Sequence, residues 1–119
     1  MKEIKIIIKG KPLSVNQTYK TRISGKGMYL SEKAMGYGNS VIWQVRSQYK
    51  DKLLEEDLEV SFYYYFGDKR IHDHLNYHKL LCDRLNQILW KDDKQIKTSH
   101  HYTMFDKKNP RIEIFIKAG

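Results

Sequence analysis

Apolar and polar residues alternate over residues 2–9, where Ile4, Ile6 and Ile8 interleave with Lys5, Ile7 and Lys9. A period of two sends successive side chains to opposite faces, so this segment predicts a strand with one better-buried face, ended by Pro12. The cleanest alternation sets Leu58, Val60, Phe62, Tyr64 and Phe66 against Glu59, Ser61, Tyr63 and Tyr65. It predicts the central scaffold strand, rich in residues that suit a half-buried pleated surface. Residues 96–105 and 111–117 read as two more strands joined by the turn Asp106-Lys107-Lys108-Asn109-Pro110, with Ile112, Ile114 and Ile116 on the buried side of the last one.

Two segments carry the longer period of a helix. From Ser31, a capping residue, to about Leu54, the side chains of Ala34, Tyr37, Val41, Val45 and Gln48-Tyr49 share one side, while Gly36 and Gly38 weaken the first turns. Trp43 and Ile42 are expected in the core or against a partner, and the apolar residues around Trp43 and Trp90 are candidates for a dimer surface. In the second helix Tyr77, Leu81, Leu85 and Ile88 form an apolar stripe, widened by Leu80 and Leu89. Asn76, Lys79, Asp83 and Asn86 fall on another face. Asp73 or Asn76 caps the start, and Asp92-Asp93 closes the helix ahead of the strand at Ile96. Residues 12–31 have no sustained period and predict a loop with a short hairpin through Ser24-Gly25-Lys26-Gly27. The order strand, helix, strand, helix, strand, strand gives an α+β fold, a mixed sheet with two main helices, in a single domain over residues 1–119.

Charge turns this scaffold into a binder of polyanions. Lys and Arg number 22 against 14 Asp and Glu, a formal net charge of +8 on 119 residues. The loop interleaves Lys20, Arg22 and Lys26 with Tyr19 and Tyr29, which supplies cations for phosphates and flat rings for bases, although a solvated basic loop is the plainer reading. Cys82 is the only cysteine. It excludes an intrachain disulfide and a zinc site built on several cysteines, and it points to a reducing, cytoplasmic setting. The start MKEIKIIIKGK spreads charge through its apolar residues and does not read as a signal peptide, and no stretch approaches membrane-spanning length.

The run from Asp68 to Ile96 concentrates the residue types of phosphate chemistry: Asp73, Asn76, Lys79, Asp83 and Asp92-Asp93. Hydrolysing a phosphodiester requires a nucleophilic water and neutralisation of charge on the phosphate oxygens, which clustered carboxylates holding Mg²⁺ achieve. Asp73 with Asp93 is the expected metal pair and Lys79 the fixed cation. Asp83, Arg84 and the charges from Lys91 to Lys94 also fit a solvated helix face. His72, His74, His78, His100 and His101 suggest a transition-metal site, but on a strand His72 and His74 point away from Asp73. Solvated or phosphate-contacting histidines are the expectation.

The spacing Asp73, Asn76, Lys79, Asp83 and then Asp92-Asp93-Lys94-Gln95-Ile96 resembles the signature of the RusA family of Holliday-junction resolvases, and Pro12, Ser14, Asn16 and Tyr19, with the later Ser31, resemble its opening. The resemblance implies a RusA-like fold and a Mg²⁺-dependent endodeoxyribonuclease that cuts four-way DNA junctions by paired symmetric nicks, in recombination and repair. It implies a homodimer, of a kind often encoded by phages or prophages. Carried over residue by residue, it makes Asp73, Asp93 and Asp92 metal ligands and Lys79 a catalytic cation. It extends the DNA grip to Asn16, Lys20, Arg22, Lys26, Lys69 and Arg70. Leu75 departs from the pattern, standing where the family has an acidic residue. Either Asp92, His72 or His74 fills that vacancy, a histidine favouring Mn²⁺, or the protein binds junctions with weak or lost nuclease activity. A DNA- or RNA-binding module whose aspartates are only structural is the remaining rival.

Overall fold

A computed structural model describes residues 2–12, 19–21, 28–30, 32–69 and 74–119; for 19–21, 28–30, 32–35, 74–76, 79 and 80 it describes the backbone alone. The elements are β1 (Lys2–Lys9), β2 (Tyr19–Thr21), β3 (Met28–Leu30), α1 (Glu32–Gln48), β4 (Leu58–Phe66), α2 (His74–Leu85), a 3-10 turn (Asp93–Gln95), β5 (Ile96–Phe105) and β6 (Arg111–Ala118). The four long strands form one mixed sheet in the order β1-β6-β4-β5. β4 is interior, antiparallel to β6 and parallel to β5, with α2 as the crossover between the parallel pair. This is the expected α+β architecture.

Register explains the core. Ile6 pairs with Ile114 and Ile8 with Ile112, and Phe62 and Tyr64 pair with the same two residues from the other side. The apolar alternations of three strands therefore fall on one face, where all six side chains are buried together with Val41 and Val45 of α1 and Leu81 and Leu85 of α2. Burying each such side chain contributes roughly 1.5–3 kcal/mol. β2 and β3 pair separately, Tyr19 with Leu30 and Thr21 with Met28, which makes the expected hairpin; its tip lies outside the described residues.

The open edge of β1 is closed by a helix. Gln44 accepts from the Lys9 N–H at 2.7 Å and donates to the Lys9 carbonyl at 3.1 Å. Gln48 does the same for Ile7 at 2.8 and 2.6 Å. Two side-chain amides thus satisfy the groups that another strand would pair, a way of capping a sheet edge.

β1 spans the expected residues 2–9, and what ends it ahead of Pro12 is Gly10, which adopts a left-handed φ of 115° and donates its N–H to the Pro110 carbonyl. The ends of α1 and α2 differ from the expectation. α1 ends at Gln48, short of Leu54, since the Tyr49 hydroxyl donates to the Lys52 carbonyl and Leu54 is bridged to Trp90. α2 ends at Leu85, well before Asp92-Asp93: Gln87 takes a φ of 67° and its N–H donates to the Trp90 carbonyl at 2.7 Å.

Trp43 is 76% exposed and so is not core, whereas Trp90 is fully buried and cannot form a dimer surface.

Candidate active site

The acidic end of the molecule is held by a tryptophan. The indole N–H of Trp90 donates to Asn86 Oδ1 at 2.8 Å. Leu54 and its neighbours then bind this turn from the other side, through Leu54 N–H to the Leu89 carbonyl and Lys91 N–H to the Leu54 carbonyl. Asp92 follows at once. Its carboxylate accepts from the Lys94 N–H at 2.9 Å while the Gln95 side chain accepts from the Asp92 N–H at 2.9 Å, a reciprocal cap on the 3-10 turn. Gln95 also donates to the carbonyls of Leu54 and Glu56 at 2.8 and 3.0 Å. The Asp-Asp-x-Gln run is therefore a built corner, in which Asp92 and Gln95 fix the backbone that presents Asp93.

The two aspartates differ electrostatically. The Lys94 N–H, and then Asp93, hold the Asp92 carboxyl below the ordinary carboxylate range. Partial burial pushes Asp93 up, and its hydrogen bond with Asp92 and the charges of Asp92 and Asp83 push the same way. Asp83, on the last turns of α2, thus belongs to the same field. That field also reaches Cys82, whose thiol is pushed up to about 12 by burial, with Asp93 and Asp83 adding to it.

Beneath α2 the histidines form a seam with the sheet. Tyr64 Oη lies 3.2 Å from His101 Nδ1, and His101 Nε2 lies 3.2 Å from Ser99 Oγ. The His78 ring stands edge-on to His101 at 4.6 Å and to Phe62 at 4.8 Å, with Cys82 Sγ 3.5 Å from its Nε2. His100 turns to the opposite face, 3.7 Å from Glu59. Among the described residues no three His, Cys, Asp or Glu side chains are close enough to hold a metal ion. His78 and His101 are packing residues between helix and sheet, a role that their sequence positions gave no signal for.

Of the sequence-predicted residues, Asp92 and Asp93 are neighbours in this corner. Lys69 lies at the other end of the parallel pair, its Nζ 5.1 Å from the centre of the Phe105 ring. The length of β5, about 30 Å, separates it from Asp93. Asn16, Arg22, Lys26, Arg70 and Asp73 lie outside the described residues, as do the side chains of Lys20, Leu75, Asn76 and Lys79. Gln95 was legible as part of the turn and of the Asp92-Asp93-Lys94-Gln95-Ile96 run, but not as its fastener; for Asn86, which holds Trp90, a polar residue four before a tryptophan was the available signal.

A basic α+β domain whose crossover helix ends beside a built pair of carboxylates brings oxygen donors for a hard cation onto a chain with the charge to attract a polyanion. The family model described as Endodeoxyribonuclease RusA matches residues 9–117, and the chain belongs to the RusA endodeoxyribonuclease family. No curated protein matches it. No helix among the described residues is long and apolar enough to cross a membrane.

Proposed function

We propose that this protein is a metal-dependent endodeoxyribonuclease that resolves four-way DNA junctions by paired symmetric nicks, acting as a homodimer. The family match over residues 9–117 carries this reading. Asp92 and Asp93 offer the oxygen donors that Mg²⁺ prefers, and the crowding of Asp93 by Asp92 and Asp83 is the kind of field that a divalent cation relieves. Asp93 and Asp92 would hold the ion, which when bound supplies neutralisation of the phosphate oxygens and activation of water, and Asp73 is the further ligand that the family resemblance implies. Lys79 would supply the fixed positive charge that the resemblance assigns to it, to offset developing negative charge. Gln95 and the Asp92 cap keep Asp93 from swinging away, so the geometry does not have to be rebuilt at each encounter. Lys20, Arg22, Lys26, Lys69, Arg70 and Asn16 grip the phosphate backbone. Mn²⁺ serves in place of Mg²⁺ if His72 or His74 completes the position that Leu75 leaves without a carboxylate.

The test is cleavage of a labelled synthetic four-way junction and a matching linear duplex, with Mg²⁺ or Mn²⁺, by the protein and by Asp73→Asn and Asp93→Asn variants. Symmetric nicks in the junction alone, lost by at least 100-fold or so in either variant, are expected. Tight junction binding with no cutting in either metal would mean that Leu75 has cost the chemistry and left the grip. Equal binding of junction and duplex would sink the resolvase reading.

A further inference from the structure

α1 presents an outward face that the fold does not use. Asn39, Ile42, Trp43, Arg46 and Ser47 line an open groove of about 600 Å³ there, and Trp43, at 76%, is the most exposed large apolar side chain among the described residues. An exposed indole on a helix otherwise packed by Val41 and Val45 contributes nothing to the core. Arg46 is the charged residue among those that line the groove, from Lys33 to Lys50 the chain contains no Asp or Glu, and Asp51, the next acid, is 3.3 Å from Lys2.

The other exposed aromatic face contrasts with this one. On the outer side of the sheet Tyr63 stacks on Tyr102 at 4.7 Å and meets Phe115 edge-on at 5.3 Å. Acids stand beside several of its cations: Arg111 and Lys5 pair with Glu113, and His100 lies beside Glu59. Acids thus stand among the rings of the sheet face, whereas no acid lines the α1 groove.

The α1 face also adjoins the helix of the candidate site. A methyl group on Gly38 would lie 2.5 Å from Arg84 Nε, so the Arg84 side chain of α2 crosses directly over the Gly38 backbone. At about 100° per residue, Ile42 lies about 40° around the helix from Gly38 and Arg46 about 80°. The groove thus begins on the flank that meets α2 and opens outward to Trp43.

We infer that the Trp43 groove of α1 is a second DNA contact, in which the Trp43 indole stacks on an unpaired or frayed base of a branched substrate while Arg46 meets the adjoining phosphate. Base–aromatic stacking tolerates any sequence, since every base has a π face, and an arginine beside it supplies the phosphate contact. The inference rests on the nuclease reading for the identity of the polyanion, and it deepens that reading by adding a surface on the neighbouring helix.

Tryptophan fluorescence reads this site directly, because Trp90 is fully buried and Trp43 is not. Four-way junction, single strand and duplex are titrated without divalent ions into the protein and into Trp43→Ala, Trp43→Phe and Arg46→Ala, each first checked for an unchanged melting curve. Junction is expected to quench the emission of the unsubstituted protein but not of the Trp43 variants. Trp43→Ala is expected to weaken binding at least about five-fold without changing its salt dependence, and Trp43→Phe to restore most of that affinity. Arg46→Ala is expected to flatten the salt slope by about one. Emission of the unsubstituted protein unmoved by junction, together with undiminished affinity in Trp43→Ala, in a protein that still cuts junctions, would overturn this inference alone. Failure of the unsubstituted protein to bind any DNA would overturn both this inference and the nuclease reading. A fluorescence change that follows protein concentration without DNA would overturn it in favour of a second copy on α1.

Discussion

Asp93 is a carboxyl whose surroundings on balance oppose its ionisation: partial burial, a hydrogen-bonded and charged neighbour in Asp92 and the charge of Asp83 outweigh a backbone hydrogen bond that favours it. Its folded pKa is raised above the unfolded value, so ionising it costs stability, and the metal-free protein loses that stability as pH rises from the ordinary carboxylate range through the raised folded value. Asp92 has the opposite sign. Its lowered folded pKa contributes stability that is present above the ordinary range and lost as pH falls through the folded value. Without divalent ions, Asp93→Asn is therefore expected to raise thermal stability near neutral pH, by less than about 1 kcal/mol because the site is open to solvent. The gain should shrink as pH falls below the ordinary carboxylate range. Melting curves over a pH series check this, and a variant no more stable than the parent at any pH would refute the crowding. The Asp-Asp pair was legible in the sequence, but the division of labour within it was not, since only the folded corner shows that Asp92 caps a turn and Asp93 stands beside Asp83.

At the scale of elements, helix and strand types followed from periodicity, while their ends were set by partners remote in sequence. α1 stops where Tyr49 folds back on Lys52, and α2 stops where Trp90 draws the chain into the core. Gln48 was legible only as sharing a side of α1 with Val41 and Val45, and Gln44 carried no signal; their work on the backbone of Ile7 and Lys9 needs contacts across 41 and 35 residues. Replacing both by alanine removes their hydrogen bonds to the β1 edge and is expected to cost roughly 1–3 kcal/mol in denaturant unfolding. It should also promote concentration-dependent association through the opened strand edge. Unchanged stability and unchanged light scattering would mean that the edge needs no cover.

For the whole molecule, two symmetric nicks in a two-fold junction call for two equivalent sites, and a two-fold dimer supplies them. Sedimentation is expected to give twice the chain mass at micromolar concentration. Dimers that combine one unsubstituted protomer with one Asp93→Asn protomer should leave junctions nicked on one strand only. Paired nicks from such mixed dimers would show that one site makes both cuts. The sequence by itself determined the α+β class, the inward faces of β1, β4 and β6 and the acidic Asp92-Asp93 turn, because periodicity and local turn chemistry act between near neighbours. Only the tertiary structure decided that β5 lies parallel beside β4, that Trp90 is core and Trp43 surface, and that His78 and His101 fill the seam beneath α2. Those outcomes depend on which distant segments exclude water from one another, a property of the packed chain that no local pattern encodes.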